Sequence, residues 1–288
     1  MYRIYFSLCY LASLLPLRVL YVFSDFLYVM VYYVTGYRKK VVMQNLKQAF
    51  PEKSEEEIKT IAKKYFRNLA DMVVETIKMT SISQKEINKR FSGDMSILNE
   101  LEKQGRGYHI HIGHNFNWEW GNLLLKTKVN IPFLVTYMPL SNPAANKLFL
   151  KIRSRFGSVM VAANDVQKGM KPWQNKPFAN VLVADQNPGM RRRACWYPFL
   201  NKMTAFYKGP ELSARRGNIP IVYGEIHKVK RGKYNFTLEL ISNNPTEEKE
   251  WAVTGKFAQL LEKGIRQYPD NWVWSHRRWK HEWKGELN

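Results

Sequence analysis

The chain has few of the residues that build cross-links or metal centres. It contains 2 cysteines, Cys9 and Cys195, among 288 residues, and their spacing matches no metal-binding motif. Cys9 lies in an apolar segment, so a disulfide framework is not expected and a reducing compartment is the simpler interpretation. No serine or cysteine stands in a recognisable nucleophile motif, which disfavours covalent catalysis through such a residue.

Acidic residues are scarce relative to basic ones. The chain has 24 Asp+Glu against 45 Lys+Arg, a formal net charge of +21. Such a protein is attracted to nucleic acid, an anionic membrane surface or phosphorylated substrates. The 14% of aromatic residues suits a membrane–water interface or stacking on bases. The sequence lacks a zinc knuckle, an RNP aromatic pair and a basic zipper, so nucleic-acid binding is the weaker alternative.

The chain also lacks a clean apolar stretch long enough to be a clear membrane span. Two apolar runs, 4–17 and 19–34, are interrupted because Arg18 separates them and Asp25 lies inside the second. Neither run reaches ~18 uninterrupted apolar residues, and no cleavage site of small residues indicates a removed signal peptide. We expect residues 1–36 to form a membrane anchor, either spanning or interfacial, with the cations that follow on the cytoplasmic side. An ordinary buried helical pair is the alternative.

The rest of the chain, 37–288, reads as one domain of alternating helices and strands. Ser54 to Glu57 form a capping box that opens a long amphipathic helix. After residue 94, strands are predicted at 108–112, 131–136, 158–162, 179–184, 219–227 and 234–241, and helices at 95–103, 118–127, 143–155, 209–216 and 247–267. This alternation predicts an α/β fold with a mostly parallel or mixed central sheet flanked by helices.

The stretch GHNFNWEWG holds an imidazole, His114, and a carboxylate, Glu119, five positions apart. In a continuous helix these side chains would lie roughly 140° apart around the axis, and in a strand they would lie on opposite faces. A contact needs a corner at which the strand at 108–112 ends and a helix begins. Asn115 or Asn117 is a suitable N-cap for that helix. The sequence therefore permits this pair at a strand-to-helix corner.

Charged residues mark other predicted corners. Arg153 and Arg155 lie near a helix end, where they either complement the helix dipole or bind an anion. Asp185 ends an apolar strand, which is a position of turn residues and of site residues in α/β proteins. The C-terminal stretch 271–280 interleaves aromatic residues with cations, which suits a phospholipid headgroup layer or a nucleic-acid groove.

A zinc site is a further alternative at the first corner. His109 and His111 lie on one strand face, with His114 and Glu119 nearby in sequence. Three histidines and a carboxylate could hold zinc. The spacing matches no zinc motif, so we expect no metal.

Several stretches together resemble the lipid A late acyltransferases, the lauroyl and myristoyl transferases of the lysophospholipid acyltransferase superfamily. The hallmark of that family is His-x4-Asp/Glu, which His114 and Glu119 match. Further blocks follow in the family's order: Asn142-Pro143, Arg155-Phe-Gly157, Ala184-Asp-Gln186, Phe199-Leu-Asn201, Lys208-Gly-Pro-Glu211, 218–222 and Trp274-Ser-His-Arg-Arg-Trp-Lys280. One departure is Tyr137-Met138-Pro139, where many relatives carry arginine in the middle position. Any anion contact made by that arginine is absent here, which bears on the acceptor more than on the reaction.

The resemblance implies transfer of a fatty acyl chain from a thioester, with acyl carrier protein as donor, to a hydroxyl of a lipid A precursor. His114 would be the general base and Glu119 would orient it by accepting a hydrogen bond from the other ring nitrogen. We expect the following residues to bind substrate: Arg155, Asp185, Arg277 and Arg278. No metal and no organic cofactor is expected.

The expected location is the cytoplasmic face of the inner membrane, where an anionic lipid surface would be a partner and nucleic acid would not. One alternative keeps the chemistry and changes the acceptor to an aminolipid, a glycolipid or a lysophospholipid. The alternative of a different class is a membrane-associated nucleic-acid-binding protein.

Overall fold

A computed structural model describes residues 2–285, and in it the predicted α/β fold is confirmed. The strands are β1 (Phe91–Ser92), β2 (Tyr108–Ile112), β3 (Phe133–Tyr137), β4 (Val159–Ala162), β5 (Ala179–Val183), β6 (Ala194–Phe199), β7 (Lys202–Tyr207), β8 (Ile221–Lys230) and β9 (Lys233–Ser242). Seven strands form one sheet in the order β1-β9-β8-β2-β5-β3-β4, and β6 and β7 pair separately as a hairpin. The β8–β9 pair is antiparallel and the other neighbours in the large sheet are parallel.

Helices precede the sheet and fill most of its crossovers. The α-helices are α1 (Tyr2–Leu14), α2 (Leu17–Val29), α3 (Lys39–Ala49), α4 (Glu55–Lys78), α5 (Gln84–Arg90), α6 (Ser96–Lys103), α7 (Trp118–Lys126), α8 (Pro143–Arg153), α9 (Val166–Met170), α10 (Gly209–Arg216) and α11 (Ala252–Gln267). A π-helical segment, Met30–Thr35, continues α2. The predicted capping box is present, since the Ser54 side chain accepts from the Glu57 backbone and Glu57 accepts from the Ser54 backbone.

The hairpin of β6 and β7 is an element that the sequence did not reveal. Its two-residue turn consists of Leu200 and Asn201, which have φ angles of 51° and 62°. Two positive φ angles in succession are typical of a type I′ turn, for which Asn-Gly or Asp-Gly is the usual signal. Leucine at the first position hides that signal.

The sheet separates two apolar cores, and β2 contributes to both faces. Ile110 and Ile112 pack into one core. His109 and His111 alternate with them and so lie on the opposite face, where the His111 ring meets the Phe257 ring of α11 edge-on at 6.1 Å between centroids. Both histidines therefore behave as core residues.

The buried histidines carry no charge near neutral pH. Burial lowers the pKa of His109 to about 4, and burial together with the nearby His109 lowers that of His111 to about 3. Neither nitrogen of His109 has a hydrogen-bond partner among the described residues. Within residues 2–285, no three or more His, Cys, Asp or Glu side chains are grouped so that they could hold a metal ion. The structure gives the zinc alternative no support.

The N-terminal helices pack on the rest of the chain through one face. Leu17 and Leu20 of α2 are buried, Ser24 Oγ donates to Asp71 Oδ1 at 2.7 Å, and Lys78 Nζ donates to the Ser13 carbonyl at 2.6 Å. This packing ties α1 and α2 to α4. The boundary at residue 36 between an anchor and an acyltransferase domain stays a prediction.

The opposite face of these helices is apolar and exposed. The most exposed large side chains there are Ile4, Leu8, Leu11, Val22, Phe23, Phe26, Tyr33 and Val34. In the described residues one helical stretch, Leu17–Thr35, has the length and apolar composition to cross a membrane, with a mean hydropathy of 1.4 and 28% of its window buried. Helices α1 and α2 thus pack on α4 through one side and expose apolar residues on the other. Such an arrangement suits the membrane interface.

We expect the free energy of unfolding to decrease as the pH falls below 6.5. The folded-state pKa of His109 and His111 lies below the ordinary value of 6.5, so the unfolded chain takes up protons first and acid favours it. Each histidine should lower the free energy of unfolding by about 2 kcal/mol when the pH falls from 7.5 to 5. Urea denaturation in detergent at the two pH values, with wild type and His111→Leu, measures this. A pH-dependent loss that is equal in both proteins would contradict the assignment.

Candidate active site

The candidate site lies at the carboxyl ends of two neighbouring parallel strands. β2 pairs with β5 in a register that puts Ile112 opposite Val183. His114 and Asp185 each lie two residues beyond that last pair. Because the two chains leave the sheet in register and in the same direction, these side chains meet.

The Asp185 carboxylate is the centre of a dense set of hydrogen bonds. Its Oδ1 lies 2.5 Å from His114 Nδ1. Its Oδ2 accepts from the His114 backbone N–H at 2.8 Å and from the Trp272 indole N–H at 2.6 Å. The carboxylate is buried, with 1% of its side chain exposed, whereas 17% of the His114 side chain is exposed. The imidazole is thus fixed on its inner side and reachable on its outer side.

The electrostatics of this pair fix the tautomer of His114. Burial alone would raise the pKa of the Asp185 carboxyl group, but the charge and hydrogen bonds of His114 and the Trp272 indole hold that pKa at about 2. The ionised carboxylate only accepts hydrogen bonds, so Nδ1 carries a proton. Nε2 is then the basic nitrogen, and it lies 3.1 Å from the Gln186 side-chain amide. A group that displaces the Gln186 amide would lie next to Nε2, which can accept a proton.

The C-terminal segment closes the site from one side. The Phe116 N–H donates to the Asn271 carbonyl at 2.8 Å, and the Val273 N–H donates to the His114 carbonyl at 3.1 Å. These backbone bonds hold Trp272 against Asp185. Residues far apart in sequence therefore build one rigid wall.

The predicted hydrogen bond between Glu119 and His114 is wrong. Glu119 forms a two-pronged ion pair with Arg153, in which Nε donates to Oε2 at 2.8 Å and Nη2 donates to Oε1. Both ring nitrogens of His114 have other partners, Asp185 and Gln186. The predicted strand-to-helix corner is present, with Asn117 as the N-cap of α7, but it does not bring these two side chains together.

The ion pair of Glu119 has a clear physical origin. Glu119 lies in the first turn of α7, where a negative charge is favoured, and its side chain is 4% exposed. A buried carboxylate needs a strong partner. Arg153 at the end of α8 supplies a planar fork that matches both oxygens. Burial would lower the pKa of Arg153, but Glu119 raises it.

Glu119 still has an indirect path to His114. The next residue toward the N-terminus is Trp118, whose ring meets the His114 ring edge-on at 5.0 Å between centroids. The ion pair with Arg153 fixes the first turn of α7 and with it Trp118. This contact through Trp118 is the structural link between Glu119 and the imidazole, and the catalytic role expected of Glu119 stays a prediction.

Arg155, which was expected to bind an anion, contacts backbone carbonyls in the structure. Its Nη1 donates to the carbonyls of Met79 and Ile82, the latter at 3.0 Å. These carbonyls follow the C-terminal end of α4, where a cation is favoured. The substrate-binding role expected of Arg155 stays a prediction.

The two adjacent arginines of the C-terminal motif have opposite environments. Arg277 is exposed on the surface. Arg278 is 1% exposed, and its guanidinium lies 4.5 Å from the centre of the Phe206 ring. None of its three nitrogens has a hydrogen-bond partner in the described part of the chain. Burial lowers the pKa of Arg278 to about 10. The substrate-binding roles expected of both arginines stay predictions.

Two residues of the site were not singled out from the sequence. Gln186 stands next to Asp185 in a family-like block, so its position was visible but its contact with His114 was not. Trp272 gave no signal, because nothing local distinguishes it from the other tryptophans of the aromatic C-terminal stretch.

The sequence matches a known protein family over nearly its whole length. The family model described as bacterial lipid A biosynthesis acyltransferase matches residues 2–281. A lipid A biosynthesis palmitoleoyltransferase of Escherichia coli (strain K12) is 24% identical over 255 residues, which cover 86% of this chain and 81% of that relative. A lipid A biosynthesis acyltransferase of Haemophilus influenzae is 21% identical over 236 residues, which cover 80% of this chain and 72% of that relative.

The ion pair between Glu119 and Arg153 yields a stability prediction. Arg153→Met should lower the free energy of unfolding by about 3 kcal/mol, because it leaves a buried carboxylate without a partner. The double variant Glu119→Gln/Arg153→Met should lose less than the sum of the two single variants. Urea denaturation in detergent measures all three. As a control, Lys103→Met, which breaks the exposed pair with Glu100, should change little. Additive losses in the double variant would argue against a coupled pair.

Proposed function

Because the chain belongs to the bacterial lipid A biosynthesis acyltransferase family, and is therefore a transferase, we propose that it moves a fatty acyl chain from an acyl thioester to a hydroxyl of a lipid A precursor. Acyl carrier protein is the proposed donor. The observation that supports this chemistry most directly is the buried Asp185 carboxylate on Nδ1 of His114. It leaves Nε2 as a base on the open side of the ring.

In the proposed reaction His114 makes the acceptor hydroxyl nucleophilic. The hydroxyl displaces the Gln186 amide from Nε2 and gives its proton to that nitrogen as its oxygen attacks the thioester carbonyl carbon. The tetrahedral intermediate then collapses, the carbon–sulfur bond breaks, and the departing thiolate takes the proton from the imidazolium. The products are the ester and the free thiol of the donor.

Asp185 takes the orienting role that the sequence had suggested for Glu119. It holds the ring in the tautomer with a free Nε2, and its charge stabilises the imidazolium that forms during the reaction. A carboxylate with a pKa of about 2 stays ionised at any physiological pH, so it keeps this role throughout.

Glu119 contributes to the proposed reaction as a positioning residue. Its pair with Arg153 holds the first turn of α7, and Trp118 on that turn touches the His114 ring. Loss of the pair would let the ring and the wall beside it move. The hallmark carboxylate would then be required for geometry and not for proton transfer.

We place the enzyme at the cytoplasmic face of the inner membrane. The exposed apolar face of α1 and α2 supports residence at the membrane, where the long acyl acceptor is embedded. An aminolipid, a glycolipid or a lysophospholipid as acceptor would require the same groups. The departure at Met138, where many relatives carry arginine, keeps the choice of acceptor open to experiment.

Substitutions of His114 and Asp185 test the mechanism. His114→Ala should lower kcat for acyl transfer from acyl carrier protein by about 10²–10⁴-fold, and Asp185→Asn should lower it by up to about 10⁴-fold, because the amide favours the wrong tautomer. The double variant should lose no more than the weaker single variant, since the two residues act as a unit. Glu119→Asp should retain part of the rate. Single-turnover assays in detergent, with circular dichroism as the folding control, measure these rates.

Near-normal transfer by a folded His114→Ala protein would overturn the proposed mechanism. Near-normal transfer by Asp185→Asn alone would leave His114 as the base and remove Asp185 as its orienting partner.

The acceptor is tested separately in cells. A strain that lacks this chain should accumulate lipid A with one acyl chain fewer, which mass spectrometry of extracted lipids detects. Complementation with the His114→Ala variant should not restore the missing chain. Unchanged lipid A together with the loss of an acyl group from another lipid would assign that lipid as the acceptor.

A further inference from the structure

Two basic stretches at opposite ends of the sequence meet at one groove. The groove has a volume of about 580 Å³ and is lined by Lys40, Val41, Gln44 and Asn45 of α3 and by Arg277, Trp279 and Lys280 of the C-terminal segment. We name it the α3 groove. Among the described residues, no residue that lines the groove forms a hydrogen bond with His114 or Asp185.

The N-terminal basic cluster divides its charges between the scaffold and this groove. Arg38 Nη1 donates to the Ser275 carbonyl at 2.9 Å. Lys39 Nζ donates to the Tyr32 carbonyl at 3.3 Å and lies over the Tyr32 ring, 3.8 Å from its centre. Lys40 is the cation of this cluster that lines the groove.

The three cations of the α3 groove have no acidic partner in the part of the chain that the structure describes. In the described residues, Lys40, Arg277 and Lys280 lie within ion-pair distance of no carboxylate. The groove also meets the first turn of α3, which has no acidic residue and no side-chain cap. That helix end adds partial positive charge. Three cations in one concavity repel one another, and an anion relieves that repulsion.

The walls of the groove are rigid and partly apolar. Asn45 Nδ2 donates to the carbonyls of Trp274 and His276, both at 2.8 Å, and so fastens the C-terminal segment to α3. The Trp279 indole N–H donates to Thr204 Oγ1 at 2.8 Å, which fixes the plane of its ring. With Val41, this ring gives a non-polar surface beside the cations. Such a surface suits an anion that carries a hydrophobic body.

The position of the groove identifies where such an anion comes from. Tyr33, Val34 and Tyr37 directly precede α3 and are 60%, 65% and 55% exposed. They continue the exposed apolar face of α1 and α2. If this face inserts among acyl chains, the groove that follows lies at the depth of the lipid phosphates.

We propose that the α3 groove is a binding site for the phosphate group of a membrane lipid. Lys40, Arg277 and Lys280 contact the phosphate, and Trp279 packs on the glycerol or acyl portion. The lining of the groove does not include His114 or Asp185, so the proposal does not depend on the proposed acyl transfer. It gives the enzyme a defined depth and orientation on the membrane.

A charge-matched pair of triple variants tests the proposal. Lys40→Gln/Arg277→Gln/Lys280→Gln removes the charges of the groove. The control, Lys128→Gln/Arg216→Gln/Lys249→Gln, removes the same charge from exposed residues at the amino ends of the parallel strands, away from the site end of the sheet. Full-length proteins are compared by cosedimentation with vesicles of phosphatidylcholine, with and without phosphatidylglycerol. A second arm titrates dihexanoyl phosphatidic acid and inorganic phosphate by calorimetry.

The groove variant should bind phosphatidylglycerol vesicles roughly a hundredfold more weakly than wild type, because each cation near an anionic leaflet strengthens binding about fivefold. The control should stay within about twofold, since its charges lie beyond the screening length. Dihexanoyl phosphatidic acid should bind wild type and control saturably, bind the groove variant far more weakly, and bind more tightly than inorganic phosphate. His114→Ala should bind like wild type, which separates this site from the reaction.

Three results would overturn the proposal. Equal weakening in both triple variants would mean that only net charge matters. Equal affinity for inorganic phosphate and for the short-chain lipid would mean that no lipid is recognised. Unchanged lipid binding by the groove variant, with a raised KM for acyl carrier protein, would assign the groove to an acidic protein.

Discussion

The site depends on one buried negative charge. Asp185 accepts hydrogen bonds from the backbone and ring of His114 and from the Trp272 indole, so two separate parts of the chain meet at this carboxylate. Burying a carboxylate is costly unless its oxygens accept hydrogen bonds, and here one of the donors is the imidazole that the proposed reaction requires. The free energy that keeps Asp185 ionised is therefore the same free energy that orients His114. Replacing the carboxylate would disturb both the wall of the site and the tautomer of the imidazole.

A second buried carboxylate links the N-terminal helices to the same region. Glu75 of α4 is fully buried and accepts from Tyr21 of α2, Asn117 at the start of α7 and Tyr234 of β9. Burial raises its pKa. Glu75 of α4 thus holds Asn117, the N-cap of α7, and α7 carries Trp118 and Glu119. Helices α1 and α2 pack on the same helix, α4. The helices expected to anchor the protein are consequently part of the scaffold of the site, and their removal would expose the core that they cover.

The basic residues of the chain fall into two groups with different roles. Some cations form contacts within the protein. Arg153 pairs with Glu119, Arg155 donates to carbonyls after α4, and Arg38 donates to a carbonyl of the C-terminal segment. Others, which have no ion-pair partner among residues 2–285, line the α3 groove. A net charge of +21 therefore describes an attraction to anionic surfaces but not its location. The location follows from which cations find an internal partner.

The local features of this protein could be predicted from its amino-acid sequence. Hydrophobic alternation placed most strands and helices of the large sheet, the capping box placed the start of α4, and the glycine- and asparagine-containing corner placed His114 at a strand end and Glu119 at a helix start. It also placed Asp185 at the end of another strand. Which of these groups are in contact depends on the order and register of the strands in the sheet. His114 and Asp185 are 71 positions apart, and they pair because β2 and β5 are neighbours in the sheet with matching register. Sheet order is a long-range property that no local pattern encodes. For the same reason, the sequence did not predict that Glu119 pairs with Arg153 or that Trp272, among the C-terminal tryptophans, contacts Asp185.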